Sequence, residues 1–240
     1  MPQTDDVDLV LRPAVEDDHA QVAEVYLAAR RTAPMPAPVH TEAAIRLWLG
    51  GRLQADPVWV AERGPAIVGF ARLTDGWLDD LYVHPDHQGQ GVGSALLDVA
   101  KAQRPQGFCL WVFESNTPAR AFYERQGLVA LERTDGSANE ERAPDLRMAY
   151  PGRDPLAFFR GLIDQVDVEL GDLLARRAAL TRVVQQHKRA THAGPADPGR
   201  DAAREREIVT SMAARAPELG EDRLARIVHS IISESLDAAR

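Results

Sequence analysis

Apolar and polar positions alternate in two different rhythms along this chain. From Val7 to Arg12 the apolar residues recur at the short period of a strand, and from Glu16 to Arg31 Val22, Val25, Tyr26 and Ala29 return at the spacing of a helix. Pro34, Pro36 and Pro38 end that helix, and Thr41 is placed to cap a second one running through Leu53. Val58 to Glu62 and Ala66 to Leu73 read as two strands joined by a turn at Arg63-Gly64-Pro65. Trp77 to Val83 is a further strand, Ser94 to Gln103 a helix, Phe108 to Phe113 a strand, Pro118 to Gln126 a helix and Leu146 to Tyr150 a closing strand. The pattern predicts a mixed α/β domain over 1–150.

Residues 151–155, Pro-Gly-Arg-Asp-Pro, are turn-rich and mark a linker. After it the strand rhythm disappears. Residues 156–191 contain no proline, and Leu162, Ile163, Val166, Leu170, Leu173, Leu174, Leu180, Val183 and Val184 recur at helical spacing. At 1.5 Å per residue such a helix is about 50 Å long, more than a domain of this size covers by itself. A Gly/Pro loop over 193–199 precedes a helix from Arg200 to Arg215 and another from Glu221 to Ala239. Residues 156–240 therefore read as an all-α three-helix domain.

Composition sharpens this picture in three places. Residues 1–150 hold 14 Lys+Arg against 22 Asp+Glu, and the remainder holds 14 of each, so the whole net charge of −8 sits in the first half. An acidic first half argues against a nucleic-acid partner, while cations gathered between Arg160 and Arg200 suit a small anion. No apolar run is long enough to cross a bilayer, and Met1 to Asp8 is too polar for a secretory signal. With Cys109 as the sole cysteine, a reducing, cytoplasmic setting is expected. No cluster of metal ligands suggests itself.

The most specific local signal runs from Leu81 to Leu97, where a strand ending at Val83 leads through Gln88-Gly89-Gln90-Gly91-Val92-Gly93-Ser94 into a helix. Glycines let the backbone approach an anion closely, and the free N–H groups of the helix start point at it. Gln-x-x-Gly-x-Gly between strand and helix resembles the pyrophosphate motif of the GNAT superfamily of acetyl-CoA-dependent N-acetyltransferases. Trp59 to Glu62 with Ile67 to Phe70 is similar to that family's central hairpin, and Glu114 to Leu128 to its strand-to-helix segment after the cofactor helix. The resemblance covers nearly all of residues 7–150. It implies that Val83 binds the pantetheine arm through its backbone, that Gln88, Gly89, Gln90, Gly91, Val92, Gly93 and Ser94 cradle the pyrophosphate, that Asn116 hydrogen-bonds acetyl-CoA, and that Tyr123 protonates the leaving thiolate. Attack by an amine also needs a base, for which Asp79, Asp80 and Glu114 are candidates and Asp80 is the one carried forward. Which amine is acetylated stays open.

In the second half, Arg177 and Lys188 lie eleven residues apart and share a helix face within about 20°, whereas Arg160 points about 100° away. Arg160 does not easily share one site with them in the same subunit, and a partner chain could bring it there. In the last helix Ser235 and Ala239 are neighbours at i, i+4. Arg160 to Asp167, Leu173 to Arg177, Lys188, Asp197 to Asp201 and Ile227 to Leu236 together resemble the all-helical chorismate mutases, over essentially the whole of 156–240. In that family two chains interlock through the long helix, so the resemblance implies a homodimer and an intramolecular rearrangement of chorismate to prephenate without a cofactor. It further implies that Arg160, Arg177 and Arg200 bind carboxylates, that Lys188 faces the ether oxygen, that Asp197 and Asp201 meet the ring hydroxyl, and that Ser235 assists a carboxylate. The sequence departs from the family at two positions: Asp201 stands where glutamate is usual, and Ala239 where a hydrogen-bonding side chain is usual. Asp201 leaves isochorismate or 4-amino-4-deoxychorismate open as substrates. Ala239, which can donate nothing to the ether oxygen, leaves open a non-catalytic dimerisation or ligand-sensing module.

Overall fold

A computed structural model of the chain describes residues 8–191 and 201–239. It divides into two compact units, Met1–Arg160 and Gly161–Arg240.

The first unit is a seven-stranded sheet with helices on both faces. Its elements are β1 (Leu9–Pro13), α1 (His19–Thr32), α2 (Glu42–Ala55), β2 (Val58–Arg63), β3 (Ala66–Thr74), β4 (Trp77–Val83), α3 (Val92–Gln103), β5 (Phe108–Phe113), α4 (Thr117–Arg125), β6 (Val129–Thr134) and β7 (Asp145–Tyr150). The strand order is β1-β2-β3-β4-β5-β7-β6. Neighbours are antiparallel except β4 and β5, which run parallel and pair only at Trp77↔Cys109. Beyond that pair the two strands part, and the sheet opens into a fork.

Both sheet faces are apolar, so helices cover both. On one face Val22, Val25 and Leu27 of α1 and Ile45 and Leu49 of α2 pack on Val58, Val60 and Phe70. On the other, Val92, Leu96, Leu97 and Ala100 form the buried stripe of α3 and meet Leu73, Leu78, Phe108, Leu110 and Met148. Thr41 caps α2 as its sequence position suggests, its hydroxyl accepting from the Ala44 N–H at 3.3 Å. One strand escapes the sequence pattern. β6 is exposed along its length and lies at the sheet edge, so it carries no buried face for an apolar rhythm to report.

The second unit is helical. α5 (Pro155–Thr191) starts in the first unit, where the Asp154 carboxylate accepts from the Ala157 N–H at 3.0 Å and proline takes the first helical position. α6 (Ala202–Arg215) and α7 (Glu221–Asp237) complete it. Leu224, Val228 and Ile232 make the buried stripe of α7. α5 differs: Ile163, Val166, Leu170, Leu173, Leu180 and Val184 follow one another at spacings of three, four and seven, and each is 47% exposed or more.

Candidate active sites

The fork between β4 and β5 opens into a cavity of about 700 Å³. The chain builds one end of it from the glycine turn. After β4, Pro85–His87 makes a single tight helical turn, and Gly89 and Gly91 then take φ of +72° and +84°, the left-handed region where a side chain is strained. Gly91 is the N-cap of α3 and offers no side chain to cap it. The first N–H groups of α3 therefore have no intrahelical acceptor, and the positive end of the helix faces the cavity that Gly91, Gly93 and Ser94 line.

Side chains hold the turn while leaving that backbone clear. The Gln88 amide donates to the Val83 carbonyl at 3.2 Å, and the Gln90 amide donates to the Asp86 carbonyl at 2.9 Å while its oxygen accepts from Arg63. Gln88, Gly89, Gly91, Gly93, Ser94, Val83, Asn116 and Tyr123 all line the cavity. Two expected residues do not. Gln90 is turned to Arg63, and the Val92 side chain is buried in the core, where only its backbone can serve an anion.

Asn116 caps α4, its Oδ1 accepting from the Ala119 N–H at 3.3 Å. Tyr123 follows two turns later and is 7% exposed. Burial raises its hydroxyl well above the usual tyrosine range, helped by the Asp80 charge, so it is a proton donor at any ordinary pH. The end of α4 is fastened beside the start of α3: the Gln126 amide donates to the Ser94 hydroxyl at 2.9 Å, and Lys101 donates to the Gln126 carbonyl at 2.9 Å. This brings in Arg125, the one Lys or Arg among the described lining residues. Cation and helix start together make this end of the cavity suited to an anion.

The carboxylates sort differently from the expectation. Asp80 is buried, and its Oδ2 accepts from the Arg72 Nε at 2.5 Å; Arg72 also bonds Asp56 at 2.8 Å. Burial pushes the Asp80 carboxyl up against the pull of Arg72. Glu114 pairs with Arg133 at 2.5 Å. Neither Asp80 nor Glu114 lines the cavity, whereas Asp79 does, its Oδ2 accepting from the Thr74 hydroxyl at 2.8 Å. The cause is a bulge: β3 and β4 pair at Arg72↔Asp80 and next at Leu73↔Leu78, which leaves Asp79 as the extra residue. Trp111, two residues past Cys109 as Asp79 is two past Trp77, also lines the fork; it is 44% exposed and stacks on Trp77 with centroids 6.3 Å apart.

In the second unit the Arg177 guanidinium donates to the Ser235 hydroxyl at 2.6 Å and to the Ile231 carbonyl at 3.3 Å, so α5 and α7 bring these two expected residues together. A cavity of about 300 Å³ beside them is lined by Leu174, Ala178, Ser230, Ile231, Glu234 and Ser235. Asp201 caps α6, accepting from the Ala203 and Arg204 N–H groups at 3.0 Å each. The N–H of Arg204 first, then that of Ala203, with a smaller pull from Lys188, hold its carboxyl below the ordinary value. Arg160 closes the first unit rather than belonging to the second. Asp197 and Arg200 lie outside the described residues. One residue the sequence reading did not single out is Gln185 on α5, a polar side chain only 7% exposed. Among the described residues no group of three or more His, Cys, Asp or Glu is placed to hold a metal ion, and no helix is long and apolar enough to cross a membrane.

These two geometries agree with what the chain is similar to. The profile of the acetyltransferase (GNAT) domain matches residues 54–128, and that of chorismate mutase type II matches residues 159–240. The peptidyl-lysine N-acetyltransferase YjaB of Salmonella typhimurium is 35% identical over 96 residues, which cover 40% of this chain and 66% of that protein. An uncharacterized N-acetyltransferase of Archaeoglobus fulgidus is 32% identical over 108 residues, covering 39% of this chain and 72% of that one. The chain spans just under two thirds of the length of YjaB. The apo solution structure of YjaB from Escherichia coli shares the fold of the first unit, with a TM-score of 0.52 at 23% identity, covering 60% of this chain and 99% of that one. Through its first unit this chain belongs to the GNAT acetyltransferases, and its second unit matches the chorismate mutase type II profile.

Proposed function

We propose that the chain is a bifunctional cytoplasmic enzyme, an acetyl-CoA-dependent N-acetyltransferase over 1–150 and a chorismate mutase over 156–240. One observation carries the first reading: a single cavity in the sheet fork is lined by the uncapped glycine turn, Asn116 and Tyr123. Acetyl-CoA would lay its pyrophosphate on the N–H groups of Gly89 to Ser94, with Arg125 adding charge, and run its pantetheine arm along the unpaired edge of β4 near Val83. When bound it supplies the activated acetyl group. The acceptor amine enters at the fork beside Asp79 and Trp111, where a carboxylate and an indole face both attract an ammonium. Asp79 then takes the proton that must leave before attack, Asp80 adds negative field from behind Arg72, and Tyr123 donates its proton to the departing sulfur. YjaB acts on peptidyl-lysine, and a lysine side chain suits this fork; incubation with acetyl-CoA and a lysine-bearing peptide should add one acetyl group, read by mass spectrometry. An unmodified peptide beside intact acetyl-CoA binding would remove lysine as the acceptor and leave the cofactor reading standing.

The second reading rests on the Arg177–Ser235 pair beside the α5–α7 cavity. Arg177, Arg200 and the partner's Arg160 would hold the two carboxylates of chorismate, Lys188 the ether oxygen, and Asp197 and Asp201 the ring hydroxyl. The exposed apolar stripe of α5 supports a homodimer, since a stripe of that length is covered when two long helices pair. Sedimentation of the full chain at micromolar concentration should give a dimer. A monomer would overturn the sharing of Arg160. Ala239 is the observation favouring a non-catalytic sensing module instead, because it leaves no side-chain donor at that position.

A further inference from the structure

The Gln185 amide is an odd thing to find where it lies. It is 7% exposed, on a stretch of α5 whose neighbouring positions are exposed. Glutamine side chains are mostly exposed, so one held this deep invites a use. Its position gives the use a direction. Leu174, Ala178 and Gln185 stand at i, i+4 and i+11, which is one stripe of the helix, and Leu174 and Ala178 line the α5–α7 cavity. Two contacts bracket it along α5: Arg177 reaches the Ser235 hydroxyl, and Arg189 donates to the Ala239 carbonyl at 2.9 Å. Gln185 therefore lies on the stretch of α5 between its contacts to Ser235 and Ala239. Lys188 is its i+3 neighbour on α5.

The rearrangement of chorismate breaks an ether C–O bond as a C–C bond forms within the same molecule, and no proton, electron or group leaves. The protein can lower that barrier by placing donors where negative charge gathers on the ether oxygen. We propose that Gln185 is a catalytic residue of the helical site, its Nε2 group donating to the ether oxygen beside Lys188 in place of the side chain that Ala239 lacks. The proposal rests on the chorismate reading of the second unit. It turns an apparent defect into a transfer of the donor from α7 to α5.

The test is steady-state turnover of chorismate by the full chain. Gln185→Met keeps the volume without the donor and should lower kcat about a hundredfold with KM changed much less. Ala239→Gln in the Gln185→Met background should recover at least about a tenth of the lost rate, since the amide returns to the same seam. Gln185→Glu gives a readout that packing alone does not move: its carboxyl donates only when protonated, so its rate should climb as pH falls. Native turnover with Gln185→Met unchanged would overturn the inference and leave the mutase reading standing. A Gln185→Met protein that is slow but gains nothing from Ala239→Gln, with Gln185→Glu insensitive to pH, would make Gln185 a packing residue. Absence of native turnover would bring down the mutase reading and this inference with it.

Discussion

Gly91→Phe is expected to abolish acetyl-CoA binding in calorimetry while leaving the first unit folded. Gly91 sits at φ +84°, and a Cβ built there meets nothing within 4 Å. The first fact means that a side chain brings backbone strain of about 1–2 kcal/mol, which a folded domain tolerates. The second means that the ring is not stopped by protein. It extends into the cavity that Gly91 lines, over the N–H groups of α3 that would hold the pyrophosphate. Strain and blockade are thus separable: the urea midpoint should fall modestly and the far-ultraviolet spectrum stay the same, whereas the heat of binding disappears. Undiminished affinity would show that the cofactor does not lie on this turn.

Tyr123→Phe should cut acetyl transfer by about a hundredfold or more, with acetyl-CoA affinity unchanged, because proton donation to a leaving group contributes on that scale. The tyrosine is held in place by packing rather than by its hydroxyl, beside Phe122 with ring centroids 5.2 Å apart, so phenylalanine keeps the shape and removes only the proton. Its environment also fixes the pH profile. Burial lifts the hydroxyl far above its ordinary value, so the acid stays protonated through the range in which the acceptor amine loses its proton. Turnover should therefore rise with pH and level off, without a falling limb from Tyr123. A loss of less than about threefold in Tyr123→Phe would assign the proton to another donor.

The parts of this chain legible in sequence are those whose cause is local. The glycine turn, the hairpin rhythm of β2 and β3, and the long stripe of α5 follow from residue type and spacing, and the structure has them where spacing puts them. What escaped depends on partners distant in sequence. β6 has no buried face to betray it. Asp79 and Asp80 are adjacent, and only the bulge opposite Leu73 decides which lines the fork and which is taken by Arg72. Arg125 gains its place from a bond between its neighbour Gln126 and Ser94, and Trp111 from the parting of β4 and β5. Gln185 reads in sequence as one of two adjacent glutamines on a charged helix, and its burial is what singles it out.

That one chain joins two chemistries is the central claim, and its second half is the more exposed to test. The direct measurement is the ultraviolet absorbance of chorismate with purified full-length protein. The account predicts loss of chorismate with stoichiometric appearance of prephenate, saturable in chorismate, needing no acetyl-CoA, and proceeding at the same rate in Gly91→Phe. Chorismate that persists at its rate in buffer alone would contradict the account and leave the helical unit a dimerisation or sensing module.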